Sequence, residues 1–171
     1  MSLARRVFVF TGVATVSTAI DQVTKVIATE ALKGRPVDSF LGDLFRLQYA
    51  TNDGAFLSLG SSLPAAARFM VLTVGVGLLL LAIALYSLFG KNIDSMQVAG
   101  YALIVSGGAS NWVDRARFGG LVVDFMNLGI GRLRTGIFNV ADLAILAGIG
   151  VLMVHGYRTE RMLKAQKRAA I

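Results

Sequence analysis

Gly119-Gly120-Leu121-Val122-Val123-Asp124-Phe125, and then Phe138-Asn139-Val140-Ala141-Asp142 at the head of an apolar run to Tyr157, decide how this chain is read. Gly129, Gly131 and Gly136 between the two pieces argue against one continuous helix carrying both acids, so the chain turns back there. Residues 138–157 have the length of a membrane span, because about 20 residues at about 1.5 Å each cover a hydrocarbon core of about 30 Å. Asp142 falls in the first turns of that span, near one membrane face. An ionisable group there costs about 2.5 to 3.5 kcal/mol on insertion scales, which marks Asp142 as a functional candidate and Asp124 as its candidate partner.

Outward from this stretch the chain is written for a bilayer. Of its 171 residues 55% are hydrophobic and 16% charged, with a mean hydropathy of +0.66. The fold class expected is an all-α integral membrane protein, one polytopic domain over residues 1–171 with four transmembrane helices and a small extramembrane β cradle between the first two. The spans fall at about 7–28, 65–89, 97–113 and 138–157, and the cradle at about 37–60. The run from Val7 to Ile20, with a small-residue site at Ser17-Thr18-Ala19 near its end, also has the form of a signal peptide; a retained helix is the expectation. Within the cradle, the alternation in Leu44-Phe45-Arg46-Leu47-Gln48-Tyr49 predicts a strand, and Asn52-Asp53-Gly54 reads as a turn without any function. Gly54 and Gly60 make this loop a candidate lid. The third span ends in Ser106-Gly107-Gly108-Ala109-Ser110-Asn111-Trp112-Val113-Asp114-Arg115, whose polar groups must face protein or a wet cavity, since lipid offers them no hydrogen bonds.

The net charge of +7 is gathered in Arg5-Arg6 and in Arg158, Arg161, Lys164, Lys167 and Arg168, a pattern of membrane orientation rather than nucleic-acid binding. Four spans put both termini on one side, which these residues and Lys91 mark as cytoplasmic, and so put Asp124 and Asp142 at the outer face. Arg115, Arg117, Arg132 and Arg134 run against this assignment. The absence of cysteine excludes disulfides, thiol nucleophiles and cysteine metal sites. The lone His155 removes most remaining metal chemistry and reads as an interfacial side chain.

Asp21 and Lys25 are spaced i, i+4 and can face one another late in the first span, as a helix-end ion pair or as part of a site. For Asp124 and Asp142 two readings stay open at this point. They form an aspartic dyad, in which one carboxylate activates water while the other, protonated, donates to the carbonyl under attack; or each pairs separately with a loop arginine.

Five blocks bear on this choice: Asp21-Gln22-Val23-Thr24-Lys25, Asn52-Asp53-Gly54-Ala55-Phe56, Gly107 to Arg115, Val122-Val123-Asp124-Phe125, and Phe138-Asn139-Val140-Ala141-Asp142. In order and spacing they resemble the motif blocks of the bacterial lipoprotein signal peptidases (signal peptidase II), over nearly the whole chain. The resemblance implies a monomeric, multi-pass aspartic peptidase of the bacterial inner membrane. It implies a site at the periplasmic face, membrane lipids and diacylglyceryl-modified prolipoproteins as partners, no nucleic acid, and neither metal nor organic cofactor. Such enzymes cut just before the lipidated cysteine. Carried over by motif, Asp124 and Asp142 are the catalytic dyad. Asn52, Gly54, Asn111, Arg115, Asn139 and Ala141 match positions that line the site, bind substrate or stabilise an oxyanion, and Asp21, Lys25 and Asp114 match supporting positions.

Two departures are visible. Phe56 stands where the family's second Ala is usual, and Ser110 where a Gly precedes Asn111, which bears on pocket shape and on whether the chain is a housekeeping enzyme or a specialised paralogue. Readings from other classes are a non-catalytic lipoprotein-binding protein, a small proton-linked transporter using the same acids, and a Ser-Lys peptidase using Lys25 with Ser58 or Ser106.

Overall fold

The computed structural model describes residues 1–54, 64, 67 and 70–169. The first helix, α1, spans Leu3–Leu32 and starts at Ser2, whose hydroxyl accepts from the Arg5 amide at 3.4 Å. Its burial is inverted relative to a helix of a water-soluble protein: Val23 and Ile27 are 56% and 57% exposed, whereas Asp21 and Lys25 are 0% and 4% exposed. Apolar side chains outward and charges inward are stable where the surroundings are lipid.

After α1 come β1 (Asp38–Phe40) and β2 (Phe45–Asn52). A π-helical turn, Met70–Gly75, then leads into α2 (Val76–Phe89). Helix α3 (Ser95–Arg117) opens on a capping box in which Asp94 accepts from the Met96 and Gln97 amides while the Gln97 side chain accepts from the Asp94 amide. Strands β3 (Val122–Ile130) and β4 (Leu133–Arg134) follow, and α4 (Val140–Ala169) closes the chain. Among the described residues, three helical stretches are long and apolar enough to cross a membrane: Leu3–Leu32, Met70–Phe89 and Val140–Lys167.

The helices run alternately up and down. At one end Arg6 donates to the carbonyls of Leu88 (3.0 Å), Gly90 (2.6 Å) and Ile93 (3.2 Å), tying the start of α1 to the turn between α2 and α3. A buried guanidinium there satisfies carbonyls that a helix C-terminus leaves unpaired. His155 of α4 meets Asp94 at 3.0 Å at the same end. The sheet lies at the other end. Helix α3 packs closely on α4, where a Cβ on Gly148 would meet the Gly100 carbonyl at 2.6 Å and one on Gly100 would meet Leu152 at 2.9 Å.

The sheet has the order β1-β2-β3-β4, with antiparallel neighbours. The cradle expected at about 37–60 between the first two helices supplies β1 and β2; among the described residues the rest of the sheet, β3 and β4, comes from the segment between α3 and α4, a correction to a cradle placed between the first two helices. The stretch between Gly119 and Gly136 is mostly paired strand, β3 and β4, with Asp124 opposite Ala50 and Val122 opposite Asn52. Alternation could not reveal β3, because Val122, Val123, Asp124 and Phe125 are all buried in succession. Ala28 and Leu32 of α1 pack with Phe125 of β3, and Leu47, Tyr49, Met126 and Val140 surround them, so the sheet is seated on the end of α1. Residues 55–63, including Ser58, Gly60 and most of the proposed lid, lie outside the described residues.

Candidate active site

Asp124 is placed by β3 and Asp142 by the first turn of α4. The two elements are locked by Phe138, whose carbonyl accepts from the Phe125 and Met126 amides at 3.1 and 2.9 Å and whose amide donates to the Met126 carbonyl at 2.8 Å. Asn139 then starts α4 with a reciprocal cap. Its side-chain oxygen accepts from the Asp142 amide at 3.0 Å, and its own amide donates to Asp142 Oδ2 at 3.1 Å. The remaining donor group of this fully buried residue, Nδ2, reaches Asp124 Oδ1 at 2.6 Å. One asparagine thus holds both acids.

Each acid has a second amide partner. Asn52, at the end of β2, donates to Asp124 Oδ2 at 3.0 Å, and Asn111 of α3 donates to Asp142 Oδ1 at 3.2 Å. Among the described residues neither acid lies within ion-pair distance of an arginine, which removes the separate-pair reading. Arg134 instead pairs with Asp43 at 3.3 Å, and Arg115 donates to the Gly54 carbonyl at 2.6 Å and to the Asn111 carbonyl at 3.4 Å. Asp124 is 2% exposed, and burial, partly offset by the amide bonds, pushes its carboxyl up to about 6.

Behind the acids lies a buried charge cluster. Lys25 Nζ meets Asp21 at 2.8 Å, Asp114 at 2.7 Å and Asn111 Oδ1 at 2.8 Å, so all three of its donor positions end on oxygens. Asp21 also accepts from Ser110 Oγ and from the Ala141 amide, both at 2.7 Å, which fixes the first turn of α4 against α1. Asp114 accepts from the Val123 amide at 3.3 Å, which fixes the start of β3. A lysine engaged in this way is not directed at a serine, and the Ser106 hydroxyl donates within its own helix to the Leu103 carbonyl at 3.0 Å, against a Ser-Lys pair at these residues. Ser110 and Gln22 were not singled out as members of the cluster: Gln22 Nε2 donates to Ser110 Oγ and Asp114 Oδ1, both at 2.9 Å.

Asn52, Asn111, Arg115, Asp124 and Asp142 line one cavity of about 370 Å³, whose other wall is apolar, with Val122, Leu128, Phe138, Leu143 and Leu146. A second cavity of about 280 Å³ shares Asn111, Arg115, Asp142 and Leu146 and continues between Leu72 and Val76 on one side and Ile145 and Ile149 on the other. Carboxyls that share a cavity, one with a raised pKa, are equipped for acid–base work on a water. Arg134, one of the loop arginines that run against the expected orientation, and Thr135, which no sequence signal marked, also reach the first cavity.

A model of the family described as signal peptidase (SPase) II matches residues 13–158. The lipoprotein signal peptidase of Sphingopyxis alaskensis is 38% identical over 157 residues, covering 90% of this chain and 88% of that one. The lipoprotein signal peptidase of Syntrophotalea carbinolica is 32% identical over 149 residues, covering 85% and 89%. Two solved bacterial membrane enzyme structures share the fold. One has a TM-score of 0.72 at 23% identity over 87% of each chain, the other a TM-score of 0.72 at 19% identity over 85% of this chain and 90% of that one. Matched by the family over most of its length and by full-length relatives above 30% identity, this chain belongs to the signal peptidase II family of peptidases.

Proposed function

We propose that this protein removes the signal peptide from diacylglyceryl-modified prolipoproteins, cutting just before the lipidated cysteine, with Asp124 and Asp142 as the catalytic pair. The observation that carries this reading is the pair itself: two carboxyls from separate elements in one largely apolar cavity, each held by amide donors and neither by a cation. In the reaction the pair holds one proton between its members and titrates as a unit. The ionised member takes a proton from water as the water attacks the scissile carbonyl, and the protonated member donates to the carbonyl oxygen. Asn52, Gly54, Asn111, Arg115 and Asn139 position acids and substrate, while Asp21, Lys25, Asp114 and Ala141 hold the elements that carry them. Amide and guanidinium donors beside a dry site stabilise developing charge more than the same groups do in water.

Four spans and an outward-facing site belong to the same proposal. Helix α3 has 23 residues, about 35 Å at helical rise; it packs against the other helices, and its polar residues Ser106, Ser110, Asn111 and Asp114 are buried in protein. Counting it as a span places both termini with the Arg6 clasp on the cytoplasmic side and the sheet outside, where a lipidated precursor moving within the outer leaflet reaches the cavity sideways. The test is cleavage of a diacylglyceryl-modified precursor beside its unlipidated form by the purified protein in lipid nanodiscs. The lipidated form is expected to be cut at the cysteine and the unlipidated form left intact. Equal cleavage of both would contradict the proposal.

A further inference from the structure

The π-helical turn Met70–Gly75 forms one wall of the second cavity through Leu72, and Val76 at the start of α2 continues that wall. A π turn leaves a local mismatch in the helical ladder, and such turns persist where something outside the helix holds them. Here Trp112 of α3 does so. Its indole N–H donates to the Thr73 carbonyl at 2.9 Å. The indole also lies on Gly77, where a Cβ would come within 3.3 Å of Nε1 and 3.9 Å of two ring carbons, so the missing side chain is the seat for the ring. A helix turn of α3 therefore serves two neighbours at once: Gly108, Asn111 and Arg115 face the cavity, and Trp112, next to Asn111, grips the opposite wall.

We infer that Trp112 is a positioning residue that sets the width of the groove between the π turn and α4, and with it the affinity for the apolar, membrane-embedded part of the substrate. The inference rests on the peptidase reading above. Leu72, 7% exposed, and Val76 bracket Thr73 in sequence, so a shift of the Thr73 carbonyl carries the apolar wall with it, while Asp124 and Asp142 keep their own amide partners. Loss of the indole N–H acts on binding rather than on chemistry.

Two measurements on the full chain in nanodiscs test it. In the first, cleavage of a diacylglyceryl-modified precursor is compared for wild type, Trp112→Phe and Gly77→Ala. Trp112→Phe keeps an aromatic ring but removes the donor, and Gly77→Ala places a methyl 3.3 Å from Nε1 and crowds the ring on its seat. Trp112→Phe is expected to raise KM about three- to tenfold, the worth of one hydrogen bond, and Gly77→Ala to raise KM in the same direction, both with kcat within about twofold. In the second, Trp112 is the protein's single tryptophan. Its emission in the Asp124→Asn protein is expected to shift saturably as the lipidated precursor is added, and not with the unlipidated one. Unchanged KM in both variants, or emission indifferent to the lipidated precursor while that precursor binds, would overturn the inference. Failure of wild type to cleave the lipidated precursor would instead overturn the peptidase reading, so the two failures are read from different samples.

Discussion

Asp124 carries a conflict between burial and hydrogen bonding that reaches the stability of the whole protein. Burial raises its carboxyl first and most; the Asn52 and Asn139 amides pull it down, and the net position is about 6 against an ordinary 3.8. The folded state therefore holds a proton on Asp124 more tightly than the unfolded chain does. That stabilisation is complete below about pH 4 and is lost as pH rises through about 6. Asp124→Asn lacks the titration, so in thermal unfolding the stability of the variant relative to wild type is expected to climb between about pH 4 and 6 and then level off; parallel curves would contradict this. At this scale the site was legible, because Asp124, Asp142, Asn52, Asn111 and Asn139 sit in motif blocks whose order is informative. Gln22 and Ser110 were not legible, because an amide or hydroxyl at a helical position shows its partner only when another helix has been placed against it.

Among the elements, the interface between α3 and α4 governs the distance from Asn111 to Asp142, because the two residues meet across it at 3.2 Å. Its small residues include Gly107, where a Cβ would run into the Ala141 carbonyl, and, farther along the two helices, Gly100 and Gly148. A Cβ on Gly148 would lie 2.6 Å from the Gly100 carbonyl and 2.8 Å from Ile104 Cγ1, and the backbone can yield only by spreading the helices. Gly148→Ala is expected to destabilise by about 1 to 3 kcal/mol and to lower kcat. Gly150→Ala, whose Cβ would meet nothing within 4 Å, should leave both unchanged. Thermal melts and turnover of the two variants check this. The helices were readable from hydropathy, but β3 was not, since consecutive buried residues hide the period of two that identifies a strand.

The molecule as a whole is turned inside out. Lys25, Asp21 and Asp114 are buried at its centre, and the apolar faces of α1, α2 and α4 point outward. Composition made that legible, while the joining of β2 to β3, which carries Asn52 to Asp124, depends on a contact between residues 72 apart in the chain and could not be read from either segment. Orientation can be tested directly, because the chain has no native cysteine. A single cysteine at Lys91→Cys should react with an impermeant maleimide only after the cells are opened, and one at Arg132→Cys in intact spheroplasts; the reverse would invert the topology. Whether Asp124 and Asp142 act as one catalytic pair is decided by single-turnover cleavage of a diacylglyceryl-modified precursor by Asp124→Asn and Asp142→Asn. Each variant is expected to insert and bind the precursor but to lose cleavage by a factor of about 10² to 10⁴ or more. Near wild-type cleavage by either would contradict the account.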